Sequence, residues 1–272
     1  MAIITISRGT KSGGEILARC LADKLGYPLI GRELLQDAAA QLGVPSEDLV
    51  EKMEDQPRFF GRATSLRKTY IAAVRAALAE AAVEGDLVYH GLAGGFLLRS
   101  VPGLLKVRLI APLEMRVEAL REEHKLDHES AERYIREVDE ARARWVRGMY
   151  GVDILDPANY DLILNLGTFS VSEACTIVCT AAGQPEFALT TSRRQDQDDF
   201  RVASQARLAL ADDMGTQTLD LEATAKRGVV EVSGQAPILK TGEVGNRITE
   251  IVGAIEGVKE VVLKIEWFDP YP

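Results

Sequence analysis

Cysteine is scarce in this chain of 272 residues: Cys20, Cys175 and Cys179 are all it has. An odd, sparse count fits a reducing compartment better than a disulfide-built scaffold, so Cys175 and Cys179, one helical turn apart, are expected as packed thiols in a cytoplasmic protein. Histidine is as rare, and His124 and His128 sit in a separate charged segment, so these thiols gain no partners for a zinc site and no metal site is expected. Basic residues number 32 against 41 acidic ones, a net charge of −9 that disfavours a broad nucleic-acid-coating surface and leaves room for a local basic pocket. No apolar run approaches the roughly 20 residues that cross a bilayer, so no integral membrane association is expected. The opening MAIITISRG lacks the basic flank of a signal peptide. What is present is an ordinary globular composition, 46% apolar and 27% charged, with length for one or two domains.

The pattern along the chain predicts strands alternating with helices. Ala2 to Ser7 (AIITIS) is a β-branched run that reads as a buried strand, and Glu15 to Leu25 carries apolar residues at helical spacing before Gly26 stops it. Further strands are predicted at Tyr27 to Ile30, Leu87 to His90, Leu105 to Ala111 and Leu162 to Leu166. Helices are predicted at Arg32 to Leu42, Ser46 to Met53, Thr69 to Glu84, Leu113 to Glu123, Glu129 to Tyr150 and Ser170 to Ala182. This alternation implies an α/β fold with a parallel sheet and helices on both faces. Gly183 to Asp199 is polar and aperiodic and reads as a linker, so the expected domains are 1–183 and 200–272 with a linker over 184–199. The last region predicts a helix at Phe200 to Ala211, a hairpin turning at Lys226-Arg227-Gly228, a helix at Thr241 to Ile255 and a strand at Val258 to Phe268, a small α+β module.

Between the first strand and helix lies Arg8-Gly9-Thr10-Lys11-Ser12-Gly13-Gly14. A glycine loop in this setting presents backbone N–H groups to phosphate at the positive end of a helix. A phosphate-binding loop of the G-x-x-x-x-G-K-[ST] kind has Lys reaching the phosphates and a hydroxyl on Mg²⁺. Here Gly14 stands in the lysine position and Glu15 in the hydroxyl position, so an ordinary tight strand–helix turn is the competing reading.

Three longer segments sharpen the choice. SRGTKSGGEILARCLADKLGYPLIGRELL, VYHGLAGGFLLRSVPGLLKVRLIAPLEMRVEAL and IREVDEARARWVRGMYGVDILDPANYDLILNLGTFSVSEA, in that order, resemble the cytidylate kinase-like family, a branch of the P-loop nucleoside monophosphate kinases. The resemblance spans about Ile3 to Ala182. It implies phosphoryl transfer from ATP, with Mg²⁺, to a nucleoside monophosphate, CMP or dCMP. It implies that Arg8, Gly9, Ser12, Gly13, Gly14 and Glu15 form the nucleotide-binding loop, with Arg8 and Lys11 the nearest cations able to replace the absent loop lysine. Arg32 and Glu33 fall where the acceptor is approached, and Arg116 in an A-x-x-E-x-R segment. Asp139 and Arg142 match the D-x-x-R of a lid helix, with Arg136 and Arg144 near enough to contribute. Lys11, Arg116, Asp139 and Arg142 are thus the catalytic candidates. His90 either lines the site as a donor at a strand end or is a core histidine bonded to backbone. Leu92 stands where relatives often carry Arg.

Phe200 to Trp267 resembles the BON domain, through VASQARLAL, KRGVVEVSG and IEGVKEV. The resemblance implies an envelope, lipid-surface or small-ligand role with an unknown partner, against a plain accessory or dimerisation role. The leading expectation for the whole chain is a nucleoside monophosphate kinase. The alternative is a nucleotide-binding sensory or regulatory protein that has lost transfer chemistry.

Overall fold

The computed structural model describes residues 2–31, 62–83, 85–91, 93–237 and 241–269. The helices expected over 32–42 and 46–53 therefore lie outside the described residues, as do Arg32, Glu33 and Leu92. The described chain divides into two compact units, one formed by 2–31 and 85–189, the other by 62–83 and 190–269.

The first unit is built on five parallel strands, β1 (Ile3–Arg8), β2 (Leu29–Ile30), β3 (Leu87–Tyr89), β4 (Leu104–Ile110) and β5 (Leu162–Asn165), in the order β2-β3-β1-β4-β5. Ile4 and Ile6 of β1, Val88 of β3, Leu105, Val107 and Leu109 of β4 and Leu164 of β5 form one apolar face. The helix α1 (Gly14–Leu25) covers it through Leu17, Ala18 and Leu21. Burying such side chains is worth roughly 1.5–3 kcal/mol each, which is why the near-continuous apolar strands settle in the middle of the sheet. The chain leaves β1 towards β3 and leaves β4 towards β5, so the strand order reverses between β1 and β4. Ligands of open α/β sheets bind beyond the carboxyl ends of the strands at such a point.

Two helices follow β4: α4 (Leu113–His124) and α5 (His128–Tyr150), with Asp127 capping α5 by accepting from the Ser130 N–H at 2.8 Å. They pack through Leu113, Val117 and Leu120 against Ala131 and Ile135. At 1.5 Å per residue α5 is about 35 Å long, and it carries Asp139 and Arg142 near its middle. A short helix α3 (Gly94–Leu97) precedes β4, and α6 (Val171–Ala182) closes the unit behind a Ser170/Glu173 capping box. Cys20 of α1 and Cys175 of α6, read from sequence as unbonded, form a disulfide instead. The two helices lie side by side on the same sheet face and bring the Cα atoms to 6.3 Å, within disulfide range. Cys179 stays a free thiol.

The second unit holds β6 (Asp220–Lys226), β7 (Val229–Pro237) and β8 (Glu260–Phe268) in one sheet, antiparallel between β6 and β7 and parallel between β7 and β8. Arg227 and Gly228 both have positive φ, 53° and 87°, the twist of a two-residue hairpin. The helix α8 (Thr241–Gly253) makes the crossover that a parallel pair requires. The stretch expected as linker is helical from Thr191: α7 (Thr191–Asp212) starts with the Thr190 hydroxyl accepting from the Arg193 N–H at 3.3 Å. The first turns of α7 are polar, so no apolar period announces them, and Gln197 is nonetheless 3% exposed. The helix α2 (Arg62–Ala81) belongs to this unit and packs along α7. The Thr69 hydroxyl donates to the Ala211 carbonyl at 2.8 Å, Arg75 lies over the Phe200 ring at 4.8 Å, and Gln205 donates to Glu80 at 3.0 Å.

Candidate functional site

The loop leaves β1 at Arg8 and enters α1 at Gly14. It turns back on itself through Lys11 (φ 58°) and Gly13 (φ 77°), with the Ser12 N–H donating to the Gly9 carbonyl at 3.2 Å. The N-cap of α1 is Gly13, which has no side chain to bond the first-turn N–H groups, so among the described residues no capping side chain satisfies them. Gly9 packs closely: a Cβ there would stand 3.0 Å from Ser12 Oγ and 3.1 Å from Arg116 Cζ, so a larger residue would push these side chains aside.

Four side chains tie α4 and α5 to this loop. Asp139 Oδ1 accepts from both the N–H and the hydroxyl of Thr10, at 2.8 and 2.7 Å. Arg116 donates from Nε to the Thr10 carbonyl at 2.7 Å and pairs with the other oxygen of Asp139. Arg142 donates from Nη1 to the Thr10 hydroxyl at 2.9 Å and lies 3.8 Å from Asp139. Burial alone would push the Asp139 carboxyl up; the Thr10 donors and Arg116 outweigh it and hold Asp139 below the ordinary carboxylate range. One carboxylate thus faces two guanidiniums, leaving excess positive charge at the loop. Thr10→Val keeps the shape and removes the hydroxyl bridge, so transfer is expected to drop about tenfold with a stability loss of about 1–2 kcal/mol, read from steady-state kinetics and thermal unfolding of the same preparation.

Beyond the network lie Arg8 and His90. The Arg8 guanidinium has neither hydrogen bond nor ion pair among the described residues, and burial, then the charge of Arg142, lowers its pKa to about 10. His90, just past β3, donates its backbone N–H to the Ile30 carbonyl at 2.9 Å, while its ring Nε2 is buried without a hydrogen-bond partner. Burial, then Arg8, lowers the His90 pKa to about 4, so the ring is neutral near pH 7. In the unfolded chain it titrates near 6.5, so its contribution is complete above that pH and is lost as pH falls from about 6.5 to about 4. His90→Gln is expected to flatten the fall in stability between pH 7 and pH 5 by about 1–2 kcal/mol, measured by denaturant unfolding at both values.

The structure therefore brings Arg8, Gly9, Ser12, Gly13, Gly14, His90, Arg116, Asp139 and Arg142 to one place. Lys11 turns outward to pair with Glu123 of α4, and Glu15 pairs with Arg19 at 2.8 Å. Arg136 and Arg144 make exposed ion pairs with Glu132 and Glu140. Two residues escape sequence reasoning. Thr10 is the hub of the network, yet nothing in a variable loop position marks it. Arg108 of β4 is 7% exposed, donates to Ser7 Oγ and Tyr160 Oη at 3.2 Å each, and has no carboxylate partner among the described residues. The signal for it was a cation inside the apolar run LKVRLIA.

A profile of the cytidylate kinase-like family matches residues 3–168, which takes in the loop, β4 and α5 together. The chain belongs to the cytidylate kinase-like family. Similar curated members include the cytidylate kinase of Methanopyrus kandleri, 29% identical over 188 residues, covering 66% of this chain and 92% of that protein. The cytidylate kinase of Pyrobaculum aerophilum is 30% identical over 180 residues, covering 65% of this chain and 90% of its own length. Among solved structures, an uncharacterized protein from Eubacterium ventriosum superposes with a TM-score of 0.53 at 17% identity, over 66% of this chain and 97% of that one, a likeness of fold. All three cover about two thirds of this family member. No described helix is long and apolar enough to cross a membrane.

Proposed function

We propose that this family member transfers the γ-phosphoryl group of ATP to the phosphate of a nucleoside monophosphate, with CMP and dCMP the acceptors to test first. The observation that carries the reading is the Thr10–Asp139–Arg116–Arg142 network, which joins the lid helix to a glycine loop at the switch point of the sheet. Phosphoryl transfer is mainly positioning and charge neutralisation, and cations held by a fixed carboxylate suit it. Similarity to proteins named cytidylate kinase supports the enzyme over a purely sensory role.

Phosphoryl-transfer kinases use ATP with Mg²⁺, which binds through phosphates, water and one or two carboxylates. Among the described residues no three His, Cys, Asp or Glu side chains gather to hold a metal. Glu15, the acidic residue of the first turn of α1, is a hard-oxygen donor at the loop. This set fits a cation that arrives on the nucleotide and is held mainly by phosphates and water; Glu15 would join it only by leaving its pair with Arg19, and the bound cation would neutralise phosphate charge. The loop N–H groups orient the donor, Arg142 faces the transferring group, and Asp139 holds Thr10 and Arg116 in place. For the second unit we propose a BON-like accessory module, a reading supported by its hairpin-plus-crossover sheet.

The test is ADP formation by purified protein with ATP against a panel of nucleoside monophosphates, beside nucleotide-dependent thermal shifts. Turnover with CMP or dCMP above all others is the expected result. Stabilisation by nucleotide without turnover on any acceptor would favour the sensory role.

A further inference from the structure

The loop lacks its lysine, and the space that lysine would enter is filled from elsewhere. A Cβ on Gly14 would stand 2.8 Å from Arg8 Cδ, 3.1 Å from Arg8 Cγ and 3.0 Å from His90 Nε2. The stem of Arg8 therefore runs through the volume a side chain at position 14 would take. Lys11, the other cation of the loop, is spoken for: it sits in a left-handed conformation and pairs with Glu123. Arg8 has no carboxylate or hydroxyl partner among the described residues, and a half-buried guanidinium left so is costly unless a ligand completes it. Two more polar groups lack partners, one on the loop and one beside Gly14. Ser12 Oγ, on a residue 2% exposed, and His90 Nε2 are both buried and unbonded. A cation and two unpaired polar groups around uncapped helix N–H groups make a cradle for a phosphate.

We propose that Arg8 is the catalytic cation of this site, touching the donor phosphates in the role a loop lysine otherwise fills, and that Gly14 is glycine because the Arg8 stem occupies its side-chain space. The inference rests on the phosphoryl-transfer reading for its chemistry and on the geometry around Gly14 for its residue. In the step, an oxygen of the acceptor phosphate bonds to the γ-phosphorus while the bond from that phosphorus to the β–γ bridging oxygen breaks. The electron pair stays on the bridging oxygen, which departs on ADP. Arg8 meets the negative charge that collects there. With an unperturbed acceptor phosphate already ionised, no base is needed.

The experiment uses the full chain with Arg8→Met, which keeps most of the stem and removes the charge, and with the double variant Arg8→Ala/Gly14→Lys, which clears the stem from the space beside position 14. Three quantities are read: the melting temperature without nucleotide, the affinities for adenosine, ADP and ATP by calorimetry, and the rate of ADP formation. Expected is an unliganded melting temperature equal to or above that of the natural protein, because an unpaired charge has gone. Also expected is a loss of the affinity gained from adenosine to ATP by about tenfold, and a fall in transfer of at least about 100-fold, of the order seen when one oxyanion-stabilising donor is removed. The double variant should regain at least about tenfold over Arg8→Met, because with the stem gone it returns a cation by the route the loop pattern expects. A lowered melting temperature with unchanged ATP affinity would make Arg8 a structural strut and overturn the proposal. So would a greater loss of transfer in Lys11→Ala than in Arg8→Met. If the natural protein turns over no acceptor, the kinase reading fails by itself, and the phosphate-dependent affinities still decide the role of Arg8.

Discussion

Arg142→Ala should lower phosphoryl transfer at least ~100-fold while the unfolding transition barely moves. The expectation follows from how the guanidinium is held. Arg142 spends one N–H on the Thr10 hydroxyl and sits 3.8 Å from Asp139, too far for a tight pair. Thr10 keeps its two bonds to Asp139 without it, and Arg116 keeps its pair with the same carboxylate. Little of the folded network is lost. What goes is a positive charge at the mouth of the loop, and charge that meets the transition state acts on kcat more than on KM. The removal also relieves Arg8 of a repelling like charge. Steady-state constants and a melting curve on one preparation settle the matter; a variant that keeps its turnover would place charge neutralisation on other residues.

A chain ending at Leu189 is expected to be insoluble or to melt far below the full protein. Such a cut removes α7 together with the small sheet, and α7 is the helix along which α2 packs. Tyr70, Val74 and Leu78 of α2 are each 3% exposed or less, and re-exposing a buried apolar side chain of this size costs roughly 1.5–3 kcal/mol, so loss of cover along α2 takes a large part of a typical domain's stability. The Thr69, Arg75 and Glu80 contacts go as well. Solubility, melting temperature and dye binding to exposed apolar surface are the readouts. A soluble, cooperative fragment would show that α2 finds cover elsewhere.

Much of the first unit could be read from its residues, because each strand is short, apolar and bounded by glycine, and parallel strands buried on both faces read as continuous apolar runs. The hairpin at Arg227-Gly228 was equally plain, since few sequences adopt positive φ twice in a row. The start of α7 was not. Its first two turns are polar on every side, and their helical state rests on the Thr190 cap and on pairs such as Gln195 with Asp199 at 3.1 Å. The membership of α2 was hidden for another reason: its apolar stripe shows that it must be covered, and says nothing about by what. The loop residues were visible through their glycines, yet their wiring was not. Thr10 and Asp139 are far apart in sequence, and no local pattern foretells that a threonine will share its hydroxyl between a carboxylate and a guanidinium. The disulfide has no local signature either, because Cys20 and Cys175 meet only once α1 and α6 lie on the same sheet.

The placement of α2 has a consequence for the chain as it emerges from the ribosome. The helix is complete about 110 residues before the first turn of its partner α7 has been made. At roughly 5–20 residues per second, its apolar stripe waits on the order of 5–20 s for cover, while the strands β3 to β5 that follow it are free to join the first sheet. During that interval the nascent chain presents Tyr70, Val74 and Leu78 to whatever lies nearby, a natural stopping point for a holding chaperone and the stage at which synthesis of this protein is most exposed to misassembly.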